Sequence, residues 1–212
     1  MFKTVFAAAV ALVAVPALAQ DAPANFNGFF AGVQGGWQQD RQTLDVTTNG
    51  ITSKGSNKND GLAYGGQVGY DFRLGEKSVL GAEVALTGRT GTGTFSNGTT
   101  SFDLKQGRTV SATARLGYLV DPQSLLYVRG GYANAQYKLD NGFGRVSEDR
   151  GGYTVGAGYE HMLAQNVSAR VEYNYSSFGK DNLPGVAAAL GADTAELKYR
   201  RHAVTAGLNF RF

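Results

Sequence analysis

Cysteine is absent from the 212 residues. That excludes a disulfide framework, a thiolate nucleophile and a cysteine metal site. Long apolar runs are missing as well: after residue 19 no stretch approaches the roughly 18 residues a transmembrane helix needs. Methionine occurs twice against 30 glycines, which argues against a helical bundle, because an interior glycine costs roughly 1 kcal/mol relative to alanine. Excess charge of one sign is lacking, the formal net charge being +3, so no nucleic-acid partner is implied. General bases are scarce. His161 falls at a turn and His202 at a strand rim, and neither has a Ser or Thr two residues away that would share its face. The glycine pairs, such as Gly65-Gly66 before Gly69, lack the helix and lysine of a phosphate loop, and the loop Asp and Asn residues lack EF-hand spacing. No catalytic residue, cofactor or metal site is expected.

The amino end carries what the rest does not. Lys3 precedes an apolar run from Val5 to Val15, followed by Ala17-Leu18-Ala19 as a small-x-small site. This reads as a secretory signal peptide over residues 1–19, cleaved to leave a mature domain over 20–212.

The mature segment is patterned with a period of two. In the final stretch Val204, Ala206, Leu208, Phe210 and Phe212 are apolar, while Thr205, Asn209 and Arg211 between them are polar. Side chains on a strand alternate between faces, so this is an amphipathic strand ending on an aromatic. Seven more such strands precede it, near 25–38, 62–72, 79–89, 109–120, 125–138, 153–160 and 167–176. The connections alternate between long polar loops (39–61, 90–108, 140–150, 179–200) and short turns. Alternation decays after Ala133, where a bulge or an excursion beyond the membrane is expected. Mean hydropathy is slightly below zero, but a barrel in lipid hides its hydrophobicity by alternation. The expected fold is all-β, an eight-stranded antiparallel transmembrane β-barrel.

A soluble eight-stranded barrel alternates too, with its apolar face inward around a ligand. Here threading sorts the apolar-face aromatics by depth. Phe29, Tyr70, Phe72, Tyr118, Tyr159, Phe210 and Phe212 fall in one band and Trp37, Tyr64, Tyr132, Tyr153, Tyr173 and Tyr175 in the other, with small aliphatics between. Two girdles flanking an aliphatic belt match two membrane interfaces. The polar face would then line the lumen, where Glu83, Arg115, Arg129, Glu160, Arg170 and Glu172 are expected to form a paired charge network, Glu83 lying near Arg115. Arg89, Arg108, Lys138, Arg150, Lys198, Arg200 and Arg201 fall at the external strand ends and form a candidate rim for lipopolysaccharide phosphates.

The GFFAG stretch at Gly28–Gly32, the loop asymmetry and the terminal NFRF resemble the opacity-type, porin-like small outer-membrane barrels that serve Gram-negative bacteria as surface antigens. The resemblance covers the mature chain. It implies the outer membrane as location and a C-terminal assembly signal at Leu208, Phe210 and Phe212. It implies as partners outer-membrane lipid and lipopolysaccharide, the assembly machinery, and a host or environmental ligand met through external loops. The function expected is a non-enzymatic surface antigen or envelope protein. A narrow passive channel and a lipid A-modifying enzyme are the alternatives.

Overall fold

A computed structural model describes residues 26–90, 93–96, 101–140, 145–182, 187–188 and 191–212, with side chains in all of these but 93–96, 101–107, 137–140, 145–149 and 180–182. The predicted signal peptide lies outside the described residues. Nine strand segments occur among them: β1 (Gly28–Thr48), β2 (Ile51–Leu74), β3 (Ser78–Thr90), β4 (Gly93–Ser96), β5 (Ser101–Asp121), β6 (Ser124–Asp140), β7 (Arg145–Ala164), β8 (Val167–Asn182) and β9 (Thr194–Arg211). All pair antiparallel, each with its neighbour in the chain except β3 with β4, and β1 closes on β9. β3 and β4 both pair with β5 and count as one stave, so the ring has eight. At the seam Phe212 donates its backbone N–H to the Phe29 carbonyl at 3.0 Å. Closure leaves no free edge in the membrane, where lipid offers no hydrogen bonds.

The alternation predicted from sequence sets the two faces. Outward residues are apolar and exposed, among them Val33, Val68, Val84, Val128, Val155 and Val171 in the belt, with Phe29, Tyr118 and Phe212 toward one end and Trp37, Tyr64 and Tyr132 toward the other. Inward residues are buried and mostly polar. For a water-soluble protein this would be inside out; in a membrane it is the stable sorting.

The four expected long loops need correction, and so does the expected irregularity. Residues 39–61 are not a loop: β1 and β2 run on to Thr48 and Ile51 and are joined by Asn49-Gly50, both at positive φ (50° and 76°). That is the backbone of a tight hairpin turn, for which Asn-Gly is the strongest short signal. Likewise β4 covers Gly93–Ser96, β5 starts at Ser101, β7 starts at Arg145, β8 continues to Asn182 and β9 starts at Thr194, so the loops expected at 90–108 and 140–150 are mostly strand and that expected at 179–200 is half strand. The irregularity expected after Ala133 sits in the partner strand instead, as a register shift between Gln106 and Thr109 of β5. A spanning strand needs about 9–11 residues, whereas β1 has 21 and β2 has 24. The staves therefore extend well past the membrane at this end, where both faces meet water and apolar alternation has no reason to persist.

Candidate functional site: the lumen and its rims

The lumen is filled in layers. At the short-turn end Phe26, Val79, Leu119, Leu125, Tyr127 and Met162 pack into a buried apolar plug. Above it lies a first group of two carboxylates and two guanidiniums. Arg115 grips Asp71 with Nε (2.7 Å) and Nη2 and reaches Glu160 with Nη1 at 2.9 Å. Arg211 donates to the same Asp71 and Glu160, each at 2.8 Å. Ser168 and Asn209 donate to Glu160 at 2.5 and 3.0 Å. The rings of Phe26 and Phe30 lie 4.7 Å from Arg211 and 4.6 Å from Arg115, so the cations rest on aromatic faces.

A second group of the same composition follows. Glu83 accepts from Arg129 at 2.9 Å and from Arg170 at 2.6 Å, and Glu172 accepts from Arg129 at 2.8 Å and from the Tyr127 hydroxyl at 2.8 Å. Thr113 and Gln34 accept from Nη2 of Arg129 and of Arg170, while the Nε of each guanidinium is buried without a partner among the described residues. Each group balances two negative charges against two positive ones, which burial requires if the ions are not to remain uncompensated. Beyond them is a void of about 60 Å³ lined by Gln34, Gln38, Arg129, Glu172 and Arg201 among others, enough for a few water molecules. Arg201 and Arg89 meet over it on Asp40, each at 2.8 Å. Ala133, Ala135, Phe178 and Tyr199 form a second apolar cluster at this end, with Arg201 stacked 5.1 Å from Phe178.

Glycine makes the packing possible where a large side chain crosses the lumen. A Cβ on Gly158 would sit 2.5 Å from the Tyr127 ring. Tyr127 reaches Glu172 only because that position carries no side chain.

A family model described as outer membrane protein beta-barrel domain matches residues 5–212 of this chain. The chain belongs to that family. This outer-membrane barrel is 29% identical to the 31 kDa outer-membrane immunogenic protein of Brucella melitensis over 100% of its own length and 95% of the relative's. It is 30% identical to the 25 kDa outer-membrane immunogenic protein of Brucella abortus (93% and 85% covered) and 32% identical to the 22 kDa outer membrane protein of Rhizobium leguminosarum (76% and 70% covered). Among solved structures, Neisserial surface protein A matches with a TM-score of 0.51 at 17% identity, covering 87% of this chain and 97% of that one, a likeness of fold alone. The location is the outer membrane of a Gram-negative bacterium.

All six lumen residues expected from the sequence of this outer-membrane barrel do meet inside it, but not in the expected pairs. Glu83 does not contact Arg115. Register places Thr113 opposite Glu83 and Gly81 opposite Arg115, and in so narrow a barrel the long side chains reach across the lumen rather than along one strand pair. Asp71, Arg211 and Asp40 were missed. Asp71 and Arg211 sit at strand ends and were left out of the expected network, although each shares its parity with inward neighbours, Gln67 and Asn209.

The predicted cationic rim divides by the same parity. Arg89 and Arg201 turn inward onto Asp40 and are not lipid-facing. Lys198 is held by Asp45 at 2.5 Å, with Glu196 at 3.7 Å. Its pKa is raised, mainly by the bond to Asp45. The anions that Lys198 and Arg201 called for in the sequence are thus the barrel's own. Arg150 is half-buried, Arg108 and Arg200 are exposed on the outer wall, and Lys138 lies outside the described side chains.

One constellation escaped the sequence altogether. Register brings Ser124 opposite His161, with Oγ and Nδ1 2.9 Å apart. A Ser–His pair is the beginning of a nucleophilic site. Here, however, Ser124 is only 1% exposed, accepts from the Tyr159 hydroxyl at 2.9 Å, and engages Asp121, whose pKa it lowers together with the Gln123 amide. Its bonds are spent on tying the Asp121–Ser124 turn to Tyr159 and His161 of β7. The two-residue test on His161 failed because the partner comes from the next strand.

Proposed function

We propose that this outer-membrane barrel is a non-enzymatic, non-conducting surface protein. The barrel is a plugged scaffold, and the strand extensions beyond the membrane are what it presents outside. Short turns face the periplasm and long ends face outward, the arrangement general to such barrels. The single observation that carries the reading is the filling of the lumen. Two charge-balanced groups sit between two apolar clusters, with a void of about 60 Å³ beyond them, and an ion would have to break buried ion pairs to pass. Relatives named outer-membrane immunogenic proteins support a role at the exposed surface.

The measurement is single-channel conductance of the refolded mature chain in planar bilayers. No unitary steps are expected for the native protein. Regular steps at native sequence would overturn the plugged scaffold and favour a narrow passive channel.

A further inference from the structure

A row of three cations crosses the outer wall just beyond the apolar belt. Register sets Lys58 of β2 opposite Arg41 of β1, and Arg41 opposite Arg200 of β9. All three are exposed. Residues directly opposite share a face, so three positive groups stand along two inter-strand steps, about 10 Å. Like charges so placed destabilise a sheet, and among the described residues none of the three has a hydrogen-bond or ion-pair partner. The two rows outward are built differently: Lys198, opposite Thr43, bonds Asp45 of the row beyond at 2.5 Å, and in that row Asp45 faces both Lys54 and Glu196. There the fold supplies its own anions. In the Lys58–Arg41–Arg200 row it does not, and the carboxylate one row inward, Asp60, accepts from Gln39 at 2.9 Å.

Height along the wall identifies the missing anion. Two outward positions inward of the row, in the same register, lie Leu62, Trp37 and Val204, the rim of the belt. Four residues of a strand tilted by about 40° rise roughly 10 Å. That carries the cations from the interfacial aromatic level into the headgroup layer. The row between them adds His202, whose Nδ1 lies 2.8 Å from the Tyr173 hydroxyl and whose ring lies 5.2 Å from that of Tyr175, an aromatic and polar border of the kind that sugar rings pack against. The geometry points to a binding site for the phosphates of an outer-leaflet phosphoglycolipid, with Arg41 and Arg200 offering planar forks to phosphate oxygens and Lys58 a third charge. Outward orientation of the long strand ends is taken from the proposed function above.

The single tryptophan of the chain, Trp37, sits beside the site and serves as its probe. The full mature chain is refolded in bilayers of brominated phosphatidylcholine, which quenches Trp37, with increasing diphosphoryl lipid A as the unbrominated component. Relief of quenching measures which lipid sits at the wall. Native protein is expected to select diphosphoryl lipid A about fivefold or more, a preference that shrinks with salt. Arg41→Gln with Lys58→Gln and Arg200→Gln is expected to select neither lipid, while Lys54→Gln keeps the native preference. Dephosphorylated lipid A is expected to show none. The site is refuted if the triple variant still selects lipid A, if Lys54→Gln loses as much, or if the dephosphorylated lipid is selected equally. Complete reversal by millimolar inorganic phosphate would make it a site for free anions and refute the lipid assignment. Heat-shifted gel migration verifies folding; should the triple variant not fold, Arg41→Gln and Arg200→Gln singly are each expected to lose part of the preference, and no loss in either overturns the site. Conductance read on the same preparations separates the two ideas: silent bilayers without lipid selection sink this site alone, and conducting ones sink the plugged scaffold.

Discussion

Replacing Glu83 with alanine tests the lumen most directly. Glu83 holds two guanidiniums at once, Arg129 at 2.9 Å and Arg170 at 2.6 Å, and is 3% exposed. Its removal leaves Glu172 as the only carboxylate of that group against two arginines, so a balanced set becomes positive. Arg129 keeps Glu172 and Thr113, but Arg170 keeps only the Gln34 carbonyl oxygen at 3.1 Å. Breaking a buried pair by deleting one partner typically costs about 3–5 kcal/mol. Water entering from the adjoining void would solvate Arg170 and pull the value toward the lower end, so about 3 kcal/mol is expected. Glu83→Ala with Arg170→Met restores the balance and should recover at least about 1 kcal/mol of that loss, since an ion pair replaced by apolar groups of similar volume is often neutral. The assay is urea unfolding in detergent, followed by Trp37 fluorescence and gel mobility. A Glu83→Ala variant within about 0.5 kcal/mol of native would refute the desolvated network, because only surface-like substitutions are that mild. A double variant no better than the single would refute the charge-balance argument specifically.

Four further outcomes are expected. Gly158→Ala should cost about 1–3 kcal/mol, because the new methyl group displaces Tyr127 from Glu172. Gly130→Ala, whose Cβ would meet nothing closer than 3.8 Å, should be near neutral in the same unfolding assay. Truncation of Phe212, which is 76% exposed, should leave stability of the refolded barrel almost unchanged yet lower its level in the outer membrane, measured by fractionation; a normal level would remove the terminal-signal reading. Amino-terminal sequencing of the envelope-borne protein should begin at Gln20, and a start at Met1 would exclude cleavage after Ala19.

The strand pattern was legible in the sequence because it is local. Two-residue alternation assigned each side chain in strands such as β9 and β7 to lipid or lumen without any partner strand, and the six charges it placed on the lumen face are buried. The girdles followed from the same parity plus the order of the strands. What lies beyond the membrane was less legible: Gln39 to Asp60 is polar on both faces, and with water on both sides no alternation marks a strand, so only Asn49-Gly50 betrayed the hairpin. Pairing within the lumen was not legible at all. Whether Glu83 meets Arg115 or Arg129 depends on strand register and on side chains crossing a closed barrel, and both are set by closure, a property of the whole ring. The same holds for Ser124 with His161, and for Lys58, Arg41 and Arg200, which lie far apart along the chain and became one row only when β2, β1 and β9 aligned. Within the apolar belt, sequence alone determined which residues face lipid and which face inward; at the rim, where Arg89 and Arg201 turn inward onto Asp40, and throughout the lumen the tertiary structure decided who meets whom, because register and curvature are long-range and leave no mark on any single stretch.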